Sequence, residues 1–265
     1  MEETGVHGKI ILVTGASSGI GAATCRLLAS NGATVIGAAR REDRLRDLEH
    51  EINALNRGKF HGIKCDLTRE QDIEDMFREV EERYHRLDCL MANAGVPLQG
   101  ALLNNHTKDL QHMMQVNILA TAICIREGAR LMQKVSPSSG HIVIVGSDNA
   151  HKIPAAPLMH FYAATKCAVL ALAQGLRLEL VGIESKIRVT HLSPGPVRTE
   201  ASSSMFPNMK DPQAELFANY TPLESDDIAN AILYAILAPP NVNVNEIVVN
   251  PIQGDSIPRP KHLSG

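Results

Sequence analysis

The sequence lacks the features that would place the chain in a membrane. No uninterrupted apolar run approaches the ~20 residues that a helix needs to span a bilayer. The first five residues, Met1-Glu2-Glu3-Thr4-Gly5, are polar and acidic, unlike a signal peptide. We therefore expect a cytoplasmic protein that does not enter a membrane.

An excess of one charge sign is also missing. The formal net charge is −3, and lysine and arginine are interspersed with aspartate and glutamate along the chain. A nucleic acid or an anionic membrane surface is therefore not expected as a partner. Tryptophan is absent and aromatic residues make up only 3% of the chain, but this scarcity indicates no class of function.

Cysteine is scarce and shows no pairing pattern. The five cysteines are odd in number, far apart and mostly within apolar segments, so we expect reduced core thiols without a disulfide or metal framework. None of the eleven histidines forms a His-x-x-x-His pair with a third ligand at a recognisable spacing, so we expect no metal site. His151 and His160 flank the predicted pocket and could contact the substrate, but we interpret them as loop or packing residues.

What the sequence does contain is a regular alternation of short apolar runs and longer amphipathic segments. The 265 residues suit one α/β domain (1–265), with a core at about 8–250, a substrate loop at 200–215 and a tail at 251–265. Strands alternating with helices predict right-handed crossovers. We expect a Rossmann-like, doubly wound parallel seven-stranded sheet with helices on both faces. The predicted strands are 10–13, 34–38, 60–65, 87–92, 141–145, 187–192 and 246–249.

Local patterns predict some element boundaries. Thr68 to Gln71 has the form of a capping box, and apolar residues follow it at helical spacing. Ser225, with two acids after it, suits another helix start, and Pro239-Pro240 would end that helix. The segment 202–212 is predicted to be a mobile loop, and the tail to be poorly ordered.

A glycine-rich turn follows the first predicted strand. In Thr14-Gly15-x-x-x-Gly19-x-Gly21, the glycines allow a tight turn, and the helix after it would present free N–H groups to a phosphate. The spacing differs from the common G-x-G-x-x-G, and a turn that merely needs glycine is the alternative. Its place between a strand and a helix favours a dinucleotide site.

Two arginines at the end of the second strand indicate which dinucleotide binds. An acid there would accept hydrogen bonds from a ribose 2′-hydroxyl, whereas a guanidinium can hold a 2′-phosphate. The chain has Arg40 and Arg41, so we predict NADP(H), with Arg40 as the favoured contact. Alternatively, both arginines lie at a solvated helix start and pair with Glu42 and Asp43.

Polar or small residues follow the next two strands. Asp66 comes directly after the third strand and could accept a hydrogen bond from an adenine amino group; its alternative role is helix capping. Asn93-Ala94-Gly95 follows the fourth strand, where small residues let the backbone approach a cofactor. The alternative there is a simple turn.

Tyr162 and Lys166 lie four residues apart, so a helix would place them on one face, one turn apart. A free phenol has a pKa of about 10, and a nearby ammonium favours the phenolate and lowers that pKa. The pair could therefore act as a general acid and base. By itself this spacing is also common on ordinary surface helices.

Taken together, these motifs resemble the short-chain dehydrogenase/reductase family from about Gly8 to Val249. The markers occur in family order and spacing: the glycine turn, Asn93-Ala94-Gly95, Ser147, Tyr162-x-x-x-Lys166 and Ser193-Pro194-Gly195. Ser17, Ser18 and Arg40 resemble the NADP-preferring group. The surroundings of Tyr162 and the stretch 174–177 are similar to an animal branch with farnesol-dehydrogenase-like proteins and a 17-β-hydroxysteroid-type ketoreductase.

The resemblance implies four catalytic residues. Tyr162 would be the general acid or base, Lys166 would tune it and hold the nicotinamide ribose, Ser147 would bind the substrate oxygen, and Asn117 would hold a water beside Lys166. Asn117 could instead bond to backbone. Thr199 would contact the nicotinamide carboxamide, or could instead cap a helix. The implied cofactor contacts are Gly15, Ser17, Ser18, Gly19, Ile20, Arg40, Arg41, Asp66, Leu67, Asn93, Ala94, Gly95, Tyr162, Lys166, Pro194, Gly195, Val197 and Thr199.

The expected function is hydride transfer between NADP(H) and a small lipophilic alcohol or ketone, such as an isoprenoid or steroid, in a homodimer or homotetramer. The alternatives are a catalytically silent NADP-binding regulatory or scaffold protein, and an epimerase or dehydratase, whose relatives usually carry a larger carboxyl-terminal domain. Apolar side chains predicted to contact the substrate are Ile153, Pro154, Leu158, Met159, Met205, Phe206 and Met209.

Overall fold

One parallel sheet organises the chain in the computed structural model, which describes residues 5–135, 139–155, 157–205, 210–218 and 220–252. The strand order is β3-β2-β1-β4-β5-β6-β7, and every pairing is parallel. All seven predicted strands form, with ends that differ from the prediction by up to two residues. They are β1 (Ile10–Thr14), β2 (Thr34–Ala39), β3 (Lys59–Lys64), β4 (Cys89–Ala92), β5 (His141–Val145), β6 (Arg188–Pro194) and β7 (Glu246–Val249).

Helices connect the strands, and a π-helical turn at Met114–Leu119 joins two of them. In the described residues the helices are α1 (Gly19–Ser30), α2 (Glu42–Ala54), α3 (Glu70–Tyr84), α4 (Thr107–Met113), α5 (Ala120–Val135), α6 (His160–Gly182), α7 (Glu200–Ser204), α8 (Pro212–Leu216) and α9 (Ser225–Leu237). The segment 202–212, expected to be a mobile loop, therefore includes the end of α7 and the first residue of α8, while positions 206–209 lie outside the described residues. So do 253–265, nearly all of the predicted tail.

Each face of the sheet is covered by its own apolar core. One core packs Leu12, Leu90 and Ile142 against α3, α5 and α6. The other packs the neighbouring positions Ile11 and Met91 against α1, α2 and α9. Because successive strand side chains point to opposite faces, strands buried on both sides are continuous apolar runs. This confirms the prediction of helices on both faces.

The strand order opens a crevice at one point of the sheet. β1 pairs with β2 on one side and with β4 on the other, so the connections after β1 and β4 leave in opposite directions. In open α/β sheets, such a switch point creates a crevice at the carboxyl ends of the strands. The glycine turn after Thr14 and the Asn93-Ala94-Gly95 turn both lie there.

The predicted capping box before α3 does not form. The N-cap residue is Arg69, whose side chain makes no capping hydrogen bond. The Thr68 hydroxyl instead donates to Asp66 Oδ1 over 2.9 Å, and the Thr68 N–H donates to the same oxygen over 3.0 Å. Local bonding by an aspartate two residues upstream thus outcompetes the cap. The apolar face predicted for this helix is confirmed, with Ile73, Met76, Phe77 and Val80 buried.

All five cysteines are free thiols, as predicted, and four of them are buried. Burial raises the pKa of both Cys65 and Cys89 to about 12, so these side chains remain thiols and act as core residues. Among the described residues, no helix is long and apolar enough to cross a membrane.

Asp88 joins the starts of β1 and β4. Its residue is only 6% exposed, and Oδ2 accepts the Ile10 N–H over 2.8 Å while Oδ1 accepts Arg86 Nε over 2.8 Å. Its backbone N–H also donates to Ile10 O. The carboxylate therefore satisfies a strand-end donor that would otherwise be left unpaired next to the core.

We expect Asp88→Ala to lower the free energy of unfolding by about 1–3 kcal/mol, because it leaves the Ile10 N–H and the Arg86 guanidinium without their acceptor. Urea unfolding followed by circular dichroism measures this. Asp75→Ala is the matched control, since it removes an exposed Asp75–Arg78 pair and should cost much less. Equal losses in the two variants would contradict the role of Asp88.

Candidate functional site

The turn after β1 has the backbone that close approach to a ligand requires. Gly15 and Gly19 have φ angles of +69° and +52°, which favour glycine. A Cβ on Gly21 would lie 2.3 Å from the Gly15 carbonyl oxygen, so that position accepts no side chain. Ser18 is the N-cap residue of α1, but its side chain makes no capping hydrogen bond. The first turn of α1 is therefore left uncapped by that side chain.

Asn93 holds this turn against the end of β4. Its Nδ2 donates to the Thr14 carbonyl over 2.9 Å, and the N–H groups of Asn93 and Ala94 both donate to Thr14 Oγ1, over 3.1 and 3.2 Å. The side chain predicted as a cofactor contact thus has a structural role at the switch point. It fixes the spacing between the two turns that border the crevice.

Arg41 contacts the serines of the glycine turn, while the favoured contact of Arg40 with a 2′-phosphate stays a prediction. The guanidinium of Arg41 donates to Ser17 Oγ over 2.9 Å and to Ser18 Oγ over 2.7 Å, and its remaining nitrogen pairs with Glu200 over 2.8 Å. The alternative pairing with Glu42 and Asp43 is not the one seen, because Glu200 at the start of α7 takes that place. Arg40 is exposed.

Asp66 lies at the same edge. Burial alone would raise the pKa of its carboxyl, but hydrogen bonds from Thr68 and the charges of Arg40 and Arg69 together hold that pKa below its usual range. Asp66 is therefore an anionic acceptor, and its side chain organises the turn before α3. A contact with adenine stays a prediction.

A cavity of about 490 Å³ extends along the carboxyl ends of the strands, from the glycine turn to α6 and α8. Every predicted catalytic or cofactor residue lines it except Asn117. Of the predicted substrate residues, Ile153, Pro154, Met159 and Met205 line the cavity, whereas Leu158 does not. Phe206 and Met209 lie outside the described residues.

Three of the predicted catalytic residues meet in the wall of this cavity. Ser147 ends the turn after β5, and its hydroxyl donates to Asp148 Oδ1 over 3.2 Å and accepts the Asn149 N–H over 3.2 Å. Tyr162 and Lys166 lie on the first turns of α6, with Lys166 Nζ 5.6 Å from the centre of the Tyr162 ring. The helical spacing thus places phenol and amine together, as predicted.

The pKa of Tyr162 shifts against the expectation. Desolvation in the cavity wall raises the pKa of its phenol above the ordinary value; a hydrogen bond with Ser147 opposes this rise, and the charge of Asp148 adds to it. The expected lowering by Lys166 is therefore not found. Periodicity placed the two groups correctly, but the size of the desolvation depends on the tertiary packing around them.

Lys166 is a buried amine, only 5% exposed. Its Nζ donates to the Val145 carbonyl over 3.1 Å, and burial lowers the pKa of Lys166 to about 8. A Cβ on Gly95 would lie 3.5 Å from this nitrogen and 3.4 Å from Asn117 Oδ1. The small residue after β4 thus leaves open the space between the amine and the cavity.

Asn117 acts through the backbone of another segment. It is 1% exposed in the π-helical turn, a kind of turn found frequently at functional sites. Its Oδ1 accepts the Val96 N–H over 2.8 Å, and its Nδ2 donates to Val96 O over 3.0 Å and to Thr165 Oγ1 over 3.1 Å. The alternative of backbone bonding is confirmed, and the water-holding role stays a prediction.

Thr199 caps helix α7, which confirms the alternative role predicted for it. Its hydroxyl accepts the Ser202 N–H over 3.2 Å at the start of α7, within a reciprocal capping box. Its methyl group lies beside Gly19, and its residue still lines the cavity. The cap therefore ties α7 to the glycine turn, while a contact with a nicotinamide carboxamide stays a prediction.

Sequence reasoning missed several cavity residues. Asp148 follows Ser147 directly, and burial raises the pKa of its carboxyl despite the hydrogen bond from Ser147. Leu216 and Phe217 reach the cavity from the end of α8. Asp148 could have been found because it directly follows Ser147 in the sequence. Leu216 and Phe217 could not, because no spacing in the sequence connects α8 with α6. The histidines flanking the predicted pocket, His151 and His160, do not line the cavity.

Known proteins similar to this chain are dehydrogenases. Residues 9–210 match the protein family described as short chain dehydrogenase. The chain is 36% identical to Dehydrogenase/reductase SDR family member 11 of Gallus gallus, over 93% of this chain and 97% of that protein. It is 37% identical to Farnesol dehydrogenase of Aedes aegypti, over 92% of this chain and 96% of that protein.

Solved structures show the same likeness. The closed form of a serine dehydrogenase complexed with NADP+ superimposes with a TM-score of 0.85 and 27% identity, covering 96% of this chain and 99% of that one. A metagenomic short-chain oxidoreductase in complex with NADP gives a TM-score of 0.77 and 28% identity, covering 94% and 99%. The likeness therefore includes nearly the full length of each chain.

We expect Lys166→Met to be more stable than the wild type at pH 7, by up to about 3 kcal/mol, because it removes a buried charge without changing the volume much. Below pH 8 the wild-type amine is charged in both folded and unfolded chains, and burial disfavours that charge only in the folded one. As the pH rises from about 8, the pKa in the folded chain, to 10.5, the ordinary pKa, the wild type should gain stability. The difference in stability between Lys166→Met and the wild type should therefore disappear.

Urea unfolding of both proteins from pH 7 to pH 11 measures this difference. Lys64→Met is the control, because Lys64 has a side chain 68% exposed and its replacement should shift stability little at any pH. A gap between wild type and Lys166→Met that stays constant across this range would contradict the lowered pKa.

Proposed function

The chain belongs to the short-chain dehydrogenase/reductase family, and from this membership we propose that it is an oxidoreductase that transfers a hydride between NADP(H) and the carbonyl or alcohol group of a small lipophilic substrate. The observation that carries the proposal is the meeting of Ser147, Tyr162 and Lys166 in one cavity with the glycine turn of β1. Hydride chemistry needs these two ends to face one another.

The glycine turn fits a dinucleotide. The cramped backbone at Gly15 and Gly21 leaves no room for side chains, so a pyrophosphate can approach the main chain and the uncapped start of α1. When bound, the nicotinamide supplies or accepts the hydride. Lys166 would hold the adjoining ribose, and Pro194, Gly195, Val197 and Thr199 would flank the nicotinamide.

The preference for NADP(H) rests on Arg41 together with Ser17 and Ser18. A 2′-phosphate in this corner would receive charge-assisted hydrogen bonds from a guanidinium and two hydroxyl groups already held together. Relatives 27% and 28% identical to this chain were solved as complexes with NADP, which supports the same choice. Arg40 is free to contribute from the solvent side, since it is exposed.

The proton steps follow from the side chains in the wall. In reduction, Tyr162 gives its phenolic proton to the carbonyl oxygen, and in oxidation it takes the proton back. Ser147 donates a hydrogen bond to the same oxygen, for which its hydroxyl must turn away from Asp148. Lys166 lies 5.6 Å from the centre of the Tyr162 ring, and a pKa of about 8 lets this amine exchange protons near neutral pH.

The substrate region of the cavity supports a lipophilic ligand. Ile153, Met159, Met205, Leu216 and Phe217 provide an apolar and partly flexible wall. Farnesol dehydrogenase, 37% identical to this chain, is named for an isoprenoid alcohol, and this supports an isoprenoid or a lipophilic molecule of similar size, such as a steroid. We take α7 and α8 as the elements that select among them.

We also expect a homodimer or homotetramer. Exposed apolar side chains follow the helices that carry the catalytic residues: Met114 and Leu119 are 51% and 49% exposed beside Asn117, and Leu178 and Val181 are 75% and 73% exposed on α6. Such side chains suit a surface shared between copies of the chain.

Tyr162→Phe should lower turnover by at least about 100-fold, because it removes the proton donor while keeping the ring. The affinity for NADPH should change by less than about twofold, because the ring is kept. A panel of isoprenoid and steroid ketones, followed by NADPH absorbance, measures turnover, and cofactor fluorescence measures binding. Tyr234→Phe, at a position 65% exposed on α9, is the control.

Retained turnover in Tyr162→Phe would show that the assigned acid is wrong. Tight NADPH binding by the wild type, without turnover of any ketone in the panel or of the matching alcohols with NADP+, would favour the regulatory or scaffold protein instead.

Arg41→Ala should raise the KM for NADPH by about 10-fold or more and leave the KM for NADH unchanged, since charge-assisted hydrogen bonds contribute about 1.5–3 kcal/mol each. Arg40→Ala, one residue away, is the matched variant and should have a smaller effect. Glu200→Gln should lower the KM for NADPH, because it frees the guanidinium for phosphate. A larger effect of Arg40→Ala would instead support Arg40 as the main contact of the 2′-phosphate.

A further inference from the structure

A second polar cluster lies at the β7 edge of the sheet, away from the cavity lining. His191 and Ser193 are on β6, Glu246 is on β7 in direct register with His191, and His151 follows the 3₁₀ turn after Ser147. In chain order these residues are 40 or more positions apart, except for the pair on β6. A search of the sequence for His-x-x-x-His spacing therefore does not detect this cluster.

The polar atoms of the four side chains converge on one point, and five of their six separations are between 2.8 and 3.4 Å. Glu246 Oε1 lies 2.8 Å from His151 Nε2 and 3.0 Å from His191 Nδ1. Ser193 Oγ lies 3.1 Å from His151 Nε2, 3.2 Å from His191 Nδ1 and 3.4 Å from Glu246 Oε1. The two histidine nitrogens lie within 4.8 Å of one another.

These separations are those of ligands around a small divalent cation. Zinc holds imidazole nitrogen and carboxylate oxygen at about 2.0–2.2 Å in a tetrahedron, which places neighbouring ligand atoms about 3.3–3.6 Å apart. Four of the five measured separations, 2.8–3.2 Å, are 0.1–0.5 Å shorter than that range, and the fifth, 3.4 Å, lies within it. A cation at the centre would need only a slight expansion of the cluster.

Packing orients the least accessible ligand in advance. The ring of His191 is fully buried, and a Cβ on Gly146 would lie 2.2 Å from its Nε2. That nitrogen has no hydrogen-bond partner among the described residues. The ring therefore presents Nδ1 to Glu246 and Ser193, and the glycine beneath it is what allows this orientation.

Charge and access also suit a cation. One carboxylate and two imidazoles give the cluster a single negative charge when the rings are neutral. The side chains of His151 and Glu246 are 34% and 31% exposed. An ion can therefore reach the cluster from solvent without opening the cavity.

We propose that His151, His191 and Glu246 form a zinc-binding site, with the Ser193 hydroxyl at the fourth corner. The two histidines and one carboxylate are borderline nitrogen and oxygen ligands of the kind zinc takes. The site is structural: it ties the edge strand β7 and the segment after Ser147 to β6. The competing explanation is a network in which both imidazoles donate hydrogen bonds to Glu246 and no ion binds.

Zinc binding by the untagged full-length chain separates the two explanations. After removal of metals with a chelator, the protein is dialysed against zinc chloride, and zinc per chain is measured by mass spectrometry of the metal. Cobalt chloride is the spectroscopic probe, because tetrahedral Co²⁺ absorbs strongly in the visible range. We expect one ion per chain, a tetrahedral cobalt spectrum and a higher Tm with zinc.

His151→Asn and Glu246→Gln should each lower zinc affinity by about 10-fold or more, since loss of even an outer partner of a zinc ligand costs 10–100-fold. His50→Asn and Glu82→Gln, at exposed positions on α2 and α3, are matched controls and should bind as the wild type does. His151 is partly exposed, so its variant should fold even if a change at the buried His191 prevents folding.

Three results would overturn the proposal. If the wild type takes up no zinc and gives only an octahedral cobalt spectrum, the cluster is a hydrogen-bonded network without an ion. Equal zinc uptake by wild type and both cluster variants would assign binding to surface histidines. A Tm that zinc raises equally in the His151→Asn variant would remove the structural role. None of these readouts depends on cofactor binding or turnover.

Discussion

The desolvation of one amine governs the chemistry of the cavity. The Lys166 side chain extends from α6 to the end of β5, where it donates a hydrogen bond to the Val145 carbonyl, and Gly95 faces its amine. A charge in this position is costly, so its pKa falls to about 8, and the same burial raises the pKa of the neighbouring phenol. Two groups whose ordinary pKa values nearly coincide are thereby moved apart, the amine to a lower pKa and the phenol to a higher one. In the proposed reaction, a cofactor or substrate bound in the cavity has to lower the pKa of the Tyr162 phenol before that group exchanges its proton.

The surroundings of this amine are held by backbone contacts. Asn117 bonds the backbone at Val96 in both directions and reaches Thr165 on α6, so the turn after β4 stays beside the Tyr162–Lys166 helix. At the other end, Asn93 holds the same turn to Thr14. Two asparagines thus set the width of the crevice, and both act on main-chain atoms. Preorganisation of this kind keeps a site in one geometry before a ligand arrives.

Predictions from the chain succeeded where the physics is local or periodic. Strands buried on both faces are continuous apolar runs, so all seven could be located, and the i,i+4 spacing placed Tyr162 beside Lys166. The prediction of the α3 cap failed because another polar partner lies two residues away: Thr68 bonds to Asp66. The contacts of Arg41 with Ser18 and with Glu200 of α7 were not predicted, since they join distant segments. The favoured contact of Arg40 with a 2′-phosphate stays a prediction.

The amino-acid sequence by itself determined the fold class, the place of the glycine turn at a strand end and the residue types in the cavity, since hydrophobic periodicity and backbone permissiveness are properties of short segments. Only the tertiary structure decided the direction of the Tyr162 pKa shift, the pairing of Arg41 with Glu200 and the meeting of His151, His191 and Glu246. Each of these depends on burial or on contacts between distant segments. Desolvation and such contacts exist only once the helices have packed on the sheet.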